Sequence, residues 1–95
     1  MIICGRLLIK VYLPDCHSLK QKRSVIKSIL AKTRHQFNLA SAEVDFQDVW
    51  QSALLGFCTI GAEAVYINTI LQKVIQYIEI NWPDIQVLDI DIELF

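Results

Sequence analysis

The stretch Leu13-Pro14-Asp15-Cys16-His17-Ser18-Leu19-Lys20-Gln21 is where the chain changes its rhythm. Before it, from Ile2 to Leu13, side chains alternate with the period of two that a strand imposes. Ile3, Leu7, Ile9, Val11 and Leu13 fall on one face, and Cys4, Arg6, Leu8, Lys10 and Tyr12 on the other. After it, apolar residues recur at helical spacing. Between the two, Pro14 cannot donate to a strand ladder and Asp15 favours a turn. Ser18 with Gln21 three residues on forms the S-x-x-Q capping box, in which the hydroxyl satisfies a free backbone N–H and the amide reaches back. The stretch therefore reads as strand end, loop and helix start.

Working outward, the helix is expected to run to about Phe37, with Asn38 in the left-handed conformation that ends it. Its stripe of Leu19, Ile26, Ile29, Leu30, Thr33 and Phe37 faces the core. Leu39 to Phe46 reads as a second strand, Gln47-Asp48 as a short turn and Val49 to Ile60 as a third strand. Either Ala53, Leu55 and Phe57 or the apolar Leu54, Cys58 and Ile60 would face inward there. Gly61 punctuates. A second helix, from Ala62 to about Asn81, carries Ile67, Ile70, Leu71, Val74 and Ile78 on one side, and Trp82-Pro83 stops it. A last strand from Ile85 to Leu94 alternates Leu88, Ile90, Ile92 and Leu94 against Asp89, Asp91 and Glu93.

Two β-α-β halves joined by a turn, with right-handed crossovers, give one α+β domain over residues 1–95. The expected architecture is a ferredoxin-like βαββαβ sandwich, an antiparallel four-stranded sheet with two helices on one face. The first and last strands are then neighbours, and Arg6 and Lys10 stand beside Asp89, Asp91 and Glu93 on the open face. Ile3, Leu7, Ile9, Ile26, Leu30, Leu88 and Ile90 are expected in one core.

Ninety-five residues leave no room for a second core. Hydrophobic residues reach 54% and charged ones only 20%, which points to apolar surface covered by another chain. No run approaches the length of a membrane span and the start lacks a leader pattern, so a cytoplasmic protein without membrane partners is expected. Three separated cysteines, Cys4, Cys16 and Cys58, fit reduced thiols and form neither a zinc ribbon nor a disulfide framework. The net charge of −1 hides an asymmetry: residues 1–37 hold eight Lys or Arg against one acid, and residues 38–95 one against nine. An internal pairing of surfaces, a subunit contact and an anionic partner for the basic half all fit that split.

At His17-Ser18-Leu19-Lys20-Gln21-Lys22-Arg23 the sequence resembles the YlxP-like family of small bacterial proteins of unknown function. Phe37-Asn38-Leu39 leading into Ala42-Glu43-Val44 resembles that family's second strand, and Asp48-Val49-Trp50-Gln51-Ser52-Ala53-Leu54-Leu55-Gly56 its third. The loop departs from the pattern, with Asp15-Cys16 where a glycine and an alanine are more usual. The resemblance implies a ferredoxin-like fold, a bacterial origin and genes that often neighbour translation and ribosome-maturation factors. It implies no activity.

Lys20, Arg23, Lys27 and Arg34 lie within about 60° of arc on the first helix, opposite its apolar stripe. Lys20, Lys22 and Arg23 crowd the helix start, where the dipole disfavours cations by roughly 0.3–1 kcal/mol each, and a bound anion would relieve this. The candidate RNA-binding residues are thus Lys20, Lys22, Arg23, Lys27 and Arg34, with Ser18, Lys20 and Lys22 as an anion site at the helix start.

Catalysis is not expected. Ser18 reads as a cap, and Cys16-His17-Ser18 are sequence neighbours without an orienting acid. Acylphosphatases share the topology, but their glycine-rich loop with an arginine is missing. His17 and His35 lack metal-ligand spacing. Gly56-Phe57-Cys58-Thr59-Ile60 does not meet the aromatic signature of an RNA-recognition motif, and no cofactor is implied. Core or subunit contact is the commoner fate of aromatics such as Trp50 and Tyr12.

The expected function is a non-catalytic accessory factor that contacts structured or ribosomal RNA through the first helix. The alternative is a structural homo-oligomer or protein-interaction module that uses the open sheet face.

Overall fold

A computed structural model describes residues 1–95. The elements are β1 (Ile3–Tyr12), α1 (Leu19–Gln36), β2 (Ala40–Asp45), β3 (Ser52–Gly61), α2 (Ala64–Asn81) and β4 (Gln86–Leu94). The sheet order is β2-β3-β1-β4 with every pair antiparallel, the ferredoxin-like arrangement. Both crossover helices cover one face, and the other is open.

Leu7, Ile9, Val11, Ala53, Leu55 and Phe57 from the two central strands meet Ile26 and Ile29 of α1 and Ile67, Leu71, Val74 and Ile78 of α2 in one core. The inward set on β3 is therefore Ala53, Leu55 and Phe57. α2 presses closely on β1. A Cβ at Gly5 would collide with the Ile67 side chain and meet Leu71 at 3.0 Å, so glycine there is the condition for this approach. Phe37 and Trp82 both pack edge-on against Tyr77, closing one end of the helical layer.

Several expectations need correction. α1 does not end through a left-handed Asn38. Phe37 is extended, with φ −127°, and its N–H donates to the Thr33 carbonyl, because its ring is anchored on Tyr77. The non-glycine residue with positive φ is Phe46, at 64°, and it opens a β2–β3 connection longer than a two-residue turn. Val49 and Trp50 lie in that connection, exposed, rather than in β3.

Leu88 and Ile90 do not join the core, being 55% and 42% exposed. Lys10 pairs with Asp89 but Val11 with Val87, so Leu88 is an extra residue that shifts the phase. Ile90 keeps its place opposite Ile9, on an edge strand the helices do not fully cover. Val44 is a second such residue, between Glu43 opposite Leu55 and Asp45 opposite Leu54.

Candidate functional site

The loop reading at the start of α1 holds in detail. The Ser18 hydroxyl accepts the Gln21 N–H at 3.1 Å, while the Gln21 side-chain oxygen accepts the N–H of His17, one residue earlier than the standard box, at 2.9 Å. From this cap α1 presents Lys20, Arg23, Lys27 and Arg34 to solvent. Lys20, Arg23 and Lys27 form no ion pair, whereas Arg6 lies 2.7 Å from Glu93 and 3.5 Å from Asp91 on the open face. Lys10, expected in that same network, sits 5.0 Å over the ring of Phe46 instead.

Arg34 donates to the Ser41 hydroxyl at 2.8 Å and to the Ser41 carbonyl at 3.4 Å, which ties the C-terminal end of the ridge to β2. Arg23, Lys27 and Arg34 border a shallow depression of about 300 Å³ between α1 and β2, with Ile26 and Leu30 as its apolar floor and Glu43 on its wall. The ridge is thus a furrow with cations on its rim.

Lys22 leaves the set. Its side chain is fully buried, with Nζ 2.7 Å from Glu43 Oε2 and donating to the Phe46 carbonyl at 2.5 Å. It meets neither a phosphate on the ridge nor an anion at the helix start. At 100° per residue, with Lys20 at 0°, Lys22 falls at about 200°, between Ile29 at about 180° and Thr33 at about 220°. That angle was the available sign of burial, and residue type argued against it. Glu43 and Ser41, both on the helix-facing side of β2, were not singled out in the sequence. Their alternation with Ala42 was the available signal.

Of the proposed anion site, Ser18 and Lys20 remain, with the Ser18 hydroxyl already accepting from the backbone. His17 and His35 are exposed, and no group of three or more His, Cys, Asp or Glu is placed to hold a metal ion. The three cysteines are free. Burial first, and then the charge of Asp15, pushes the Cys16 thiol above its ordinary value, while Lys22 pulls it the other way to a smaller extent. No helix is long and apolar enough to cross a membrane.

Comparison with known proteins agrees with this architecture. A designed protein, "De novo designed protein Foldit4", aligns with 100% of this chain and 97% of its own at a TM-score of 0.54 and 10% identity, a likeness of fold alone. The "Uncharacterized protein YlxP" of Bacillus subtilis (strain 168) is 35% identical over 72 residues, 76% of this chain and 77% of that protein. The family model described as "Protein of unknown function (DUF503)" matches residues 4–92. With the family model matched over residues 4–92 and YlxP 35% identical over 76% of the chain, this chain belongs to the DUF503 family, that of YlxP.

Proposed function

We propose that this protein is a non-catalytic, cytoplasmic accessory factor that contacts structured RNA, ribosomal RNA first among candidates, through the phosphate backbone. Lys20, Arg23, Lys27 and Arg34 of α1 form the contact. The observation that carries the reading is the contrast in charge pairing. Lys20, Arg23 and Lys27 stand in line on an exposed helix face without an ion pair, in a chain that has more acids than bases and pairs the buried Lys22 and, on the sheet, Arg6. From Lys20 to Arg34 the ridge extends roughly 21 Å at 1.5 Å per residue, enough to follow several phosphates. The acidic strand β4 lies at the far edge of the sheet and would repel RNA there, which orients the protein. A non-catalytic role accords with Ser18 being engaged as a cap.

The test is retention of a structured RNA by the purified protein and by an R23Q/K27Q variant. Loss of retention in the variant supports the reading, and equal retention sinks it.

A second reading, self-association through the open sheet face, has its own observation. Leu8, Val44, Gly56 and Cys58 line a shallow apolar depression there, and Ile60 is 62% exposed nearby. A fixed dimeric mass by light scattering at tens of micromolar, without RNA, would favour it.

A further inference from the structure

At the end of the molecule where the β1–α1 and α2–β4 connections meet lies a cavity of about 220 Å³. Leu13, Val25, Trp82 and Ile85 give it apolar walls, and the carboxylates in its lining are Asp15 and Asp84. No Lys or Arg lines it, although α1, the most basic element of the chain, begins beside it.

Both connections are held in shape by their own hydrogen bonds. The Cys16 N–H closes a turn on the Leu13 carbonyl at 3.2 Å, and the Ile85 N–H closes another on the Trp82 carbonyl at 3.1 Å. The Gln51 amide donates to the carbonyls of Pro14 and Cys16, and the Gln21 amide to that of Asp15. The cavity is therefore preformed, and binding in it would cost little ordering of the chain.

Neither Asp15 nor Asp84 forms an ion pair or a side-chain hydrogen bond within the chain. The Cys16 thiol, 4% exposed, also lines the cavity and makes no hydrogen bond. Burial raises that thiol most, Asp15 adds to the push, and Lys22 opposes it.

We infer that this cavity is a binding site for a small aliphatic ammonium ion, its carbon chain against Trp82, Val25 and Leu13 and its charged head between Asp15 and Asp84. An anionic ligand would face two carboxylates with no Lys or Arg in the cavity lining. A neutral one would leave both carboxylates in partial desolvation with nothing in return. The ammonium can belong to a free diamine or to a lysine side chain of another protein, and the two present the same chemistry to the cavity. The site lies apart from the exposed ridge of α1, so it stands or falls separately from the RNA reading.

The test reads Trp82 fluorescence in a Trp50→Phe background, where Trp82 is the remaining tryptophan. 1,4-Diaminobutane, N-acetyl-lysine methylamide, 1-butanol and butyrate are titrated at constant ionic strength. A saturable change with either amine, absent with 1-butanol and butyrate, is expected. The amine that binds more tightly identifies the source. Asp15→Asn with Asp84→Asn is expected to weaken amine binding at least about tenfold, with the thermal midpoint monitored to confirm folding. A response to 1-butanol equal to that of the amines, no saturable response to either amine, or unchanged amine affinity in the folded double variant would each overturn the proposal. Should the double variant not fold, the comparison of amine with 1-butanol on the Trp50→Phe protein decides alone.

Discussion

Lys22 and Glu43 form an ion pair at 2.7 Å inside the seam between α1 and β2, with Lys22 fully buried and Glu43 15% exposed. Glu43 Oε2 accepts a hydrogen bond from no other group, so the ammonium is its whole compensation. The same ammonium holds the carbonyl of Phe46, the residue in the left-handed conformation, and so anchors the start of the β2–β3 connection. Removing one partner strands a buried charge. Lys22→Met or Glu43→Gln is expected to cost about 3–5 kcal/mol for the lysine and less for the more accessible glutamate, read from urea denaturation. Replacing both with Met and Leu is expected to recover most of the loss. Recovery absent in the double variant would show that the pair contributes through the Phe46 carbonyl instead.

Gly5 and Ile67 limit each other in the same way across β1 and α2. Gly5→Ala is expected to destabilise by about 1–3 kcal/mol through overpacking. Ile67→Ala alone should cost about 2–5 kcal/mol as a cavity. Together the two should cost less than their sum, because the new methyl enters the space that Ile67 vacates. A double-mutant cycle measures this coupling, and strict additivity would refute the contact.

The Cys16 thiol supplies a pH dependence of known sign. Its value in the folded protein lies above its ordinary 9.0, so the folded state binds the thiol proton more tightly than the unfolded chain does. The stability this contributes is fully present below the unfolded value and is lost as pH rises from there through the raised folded value. Wild type is therefore expected to lose more stability than Cys16→Ala between pH 8 and about pH 10, by denaturation at each pH. Asp15→Asn should bring the thiol down and narrow the difference. Equal pH profiles for wild type and Cys16→Ala would count against the shift.

Along the ridge, neutralisation of three to four phosphates by Lys20, Arg23, Lys27 and Arg34 should make log K fall with log salt at a slope of about −2 to −4. Arg23→Gln with Lys27→Gln should weaken binding evenly across RNA sequences and flatten that slope by about two. The Lys22→Met, Glu43→Leu variant is the internal control. It removes a cation that does not reach solvent, so its slope should match that of wild type. A flattened slope in that variant would place Lys22 in the contact after all.

Much of this arrangement was legible in the chain itself. The change of period at residues 13–21 fixes the order of strand and helix, and the Ser18–Gln21 spacing fixes where α1 begins, because capping is a matter of three residues and local geometry. The neighbouring of β1 and β4, which brings Arg6 beside Glu93, was legible from the βαββαβ order with right-handed crossovers, whereas the place of Lys10 over Phe46 was not. The exposed cations at positions 20, 23, 27 and 34 were readable from helical angle.

Tertiary structure decided the rest, since each case depends on a partner far away in sequence. Leu88 and Val44 turned out to be extra residues in their ladders, and a one-residue slip moves every later side chain to the other face, which no alternation read along one strand can reveal. The cavity beside Cys16 exists only because two turns some 70 residues apart close the same end of the sandwich. Lys22 is the clearest case. Its angle placed it inside the apolar stripe while its charge argued for water, and only a carboxylate brought within 2.7 Å by β2 lets a lysine stay buried, because desolvating an ammonium costs several kcal/mol unless an opposite charge replaces the lost water.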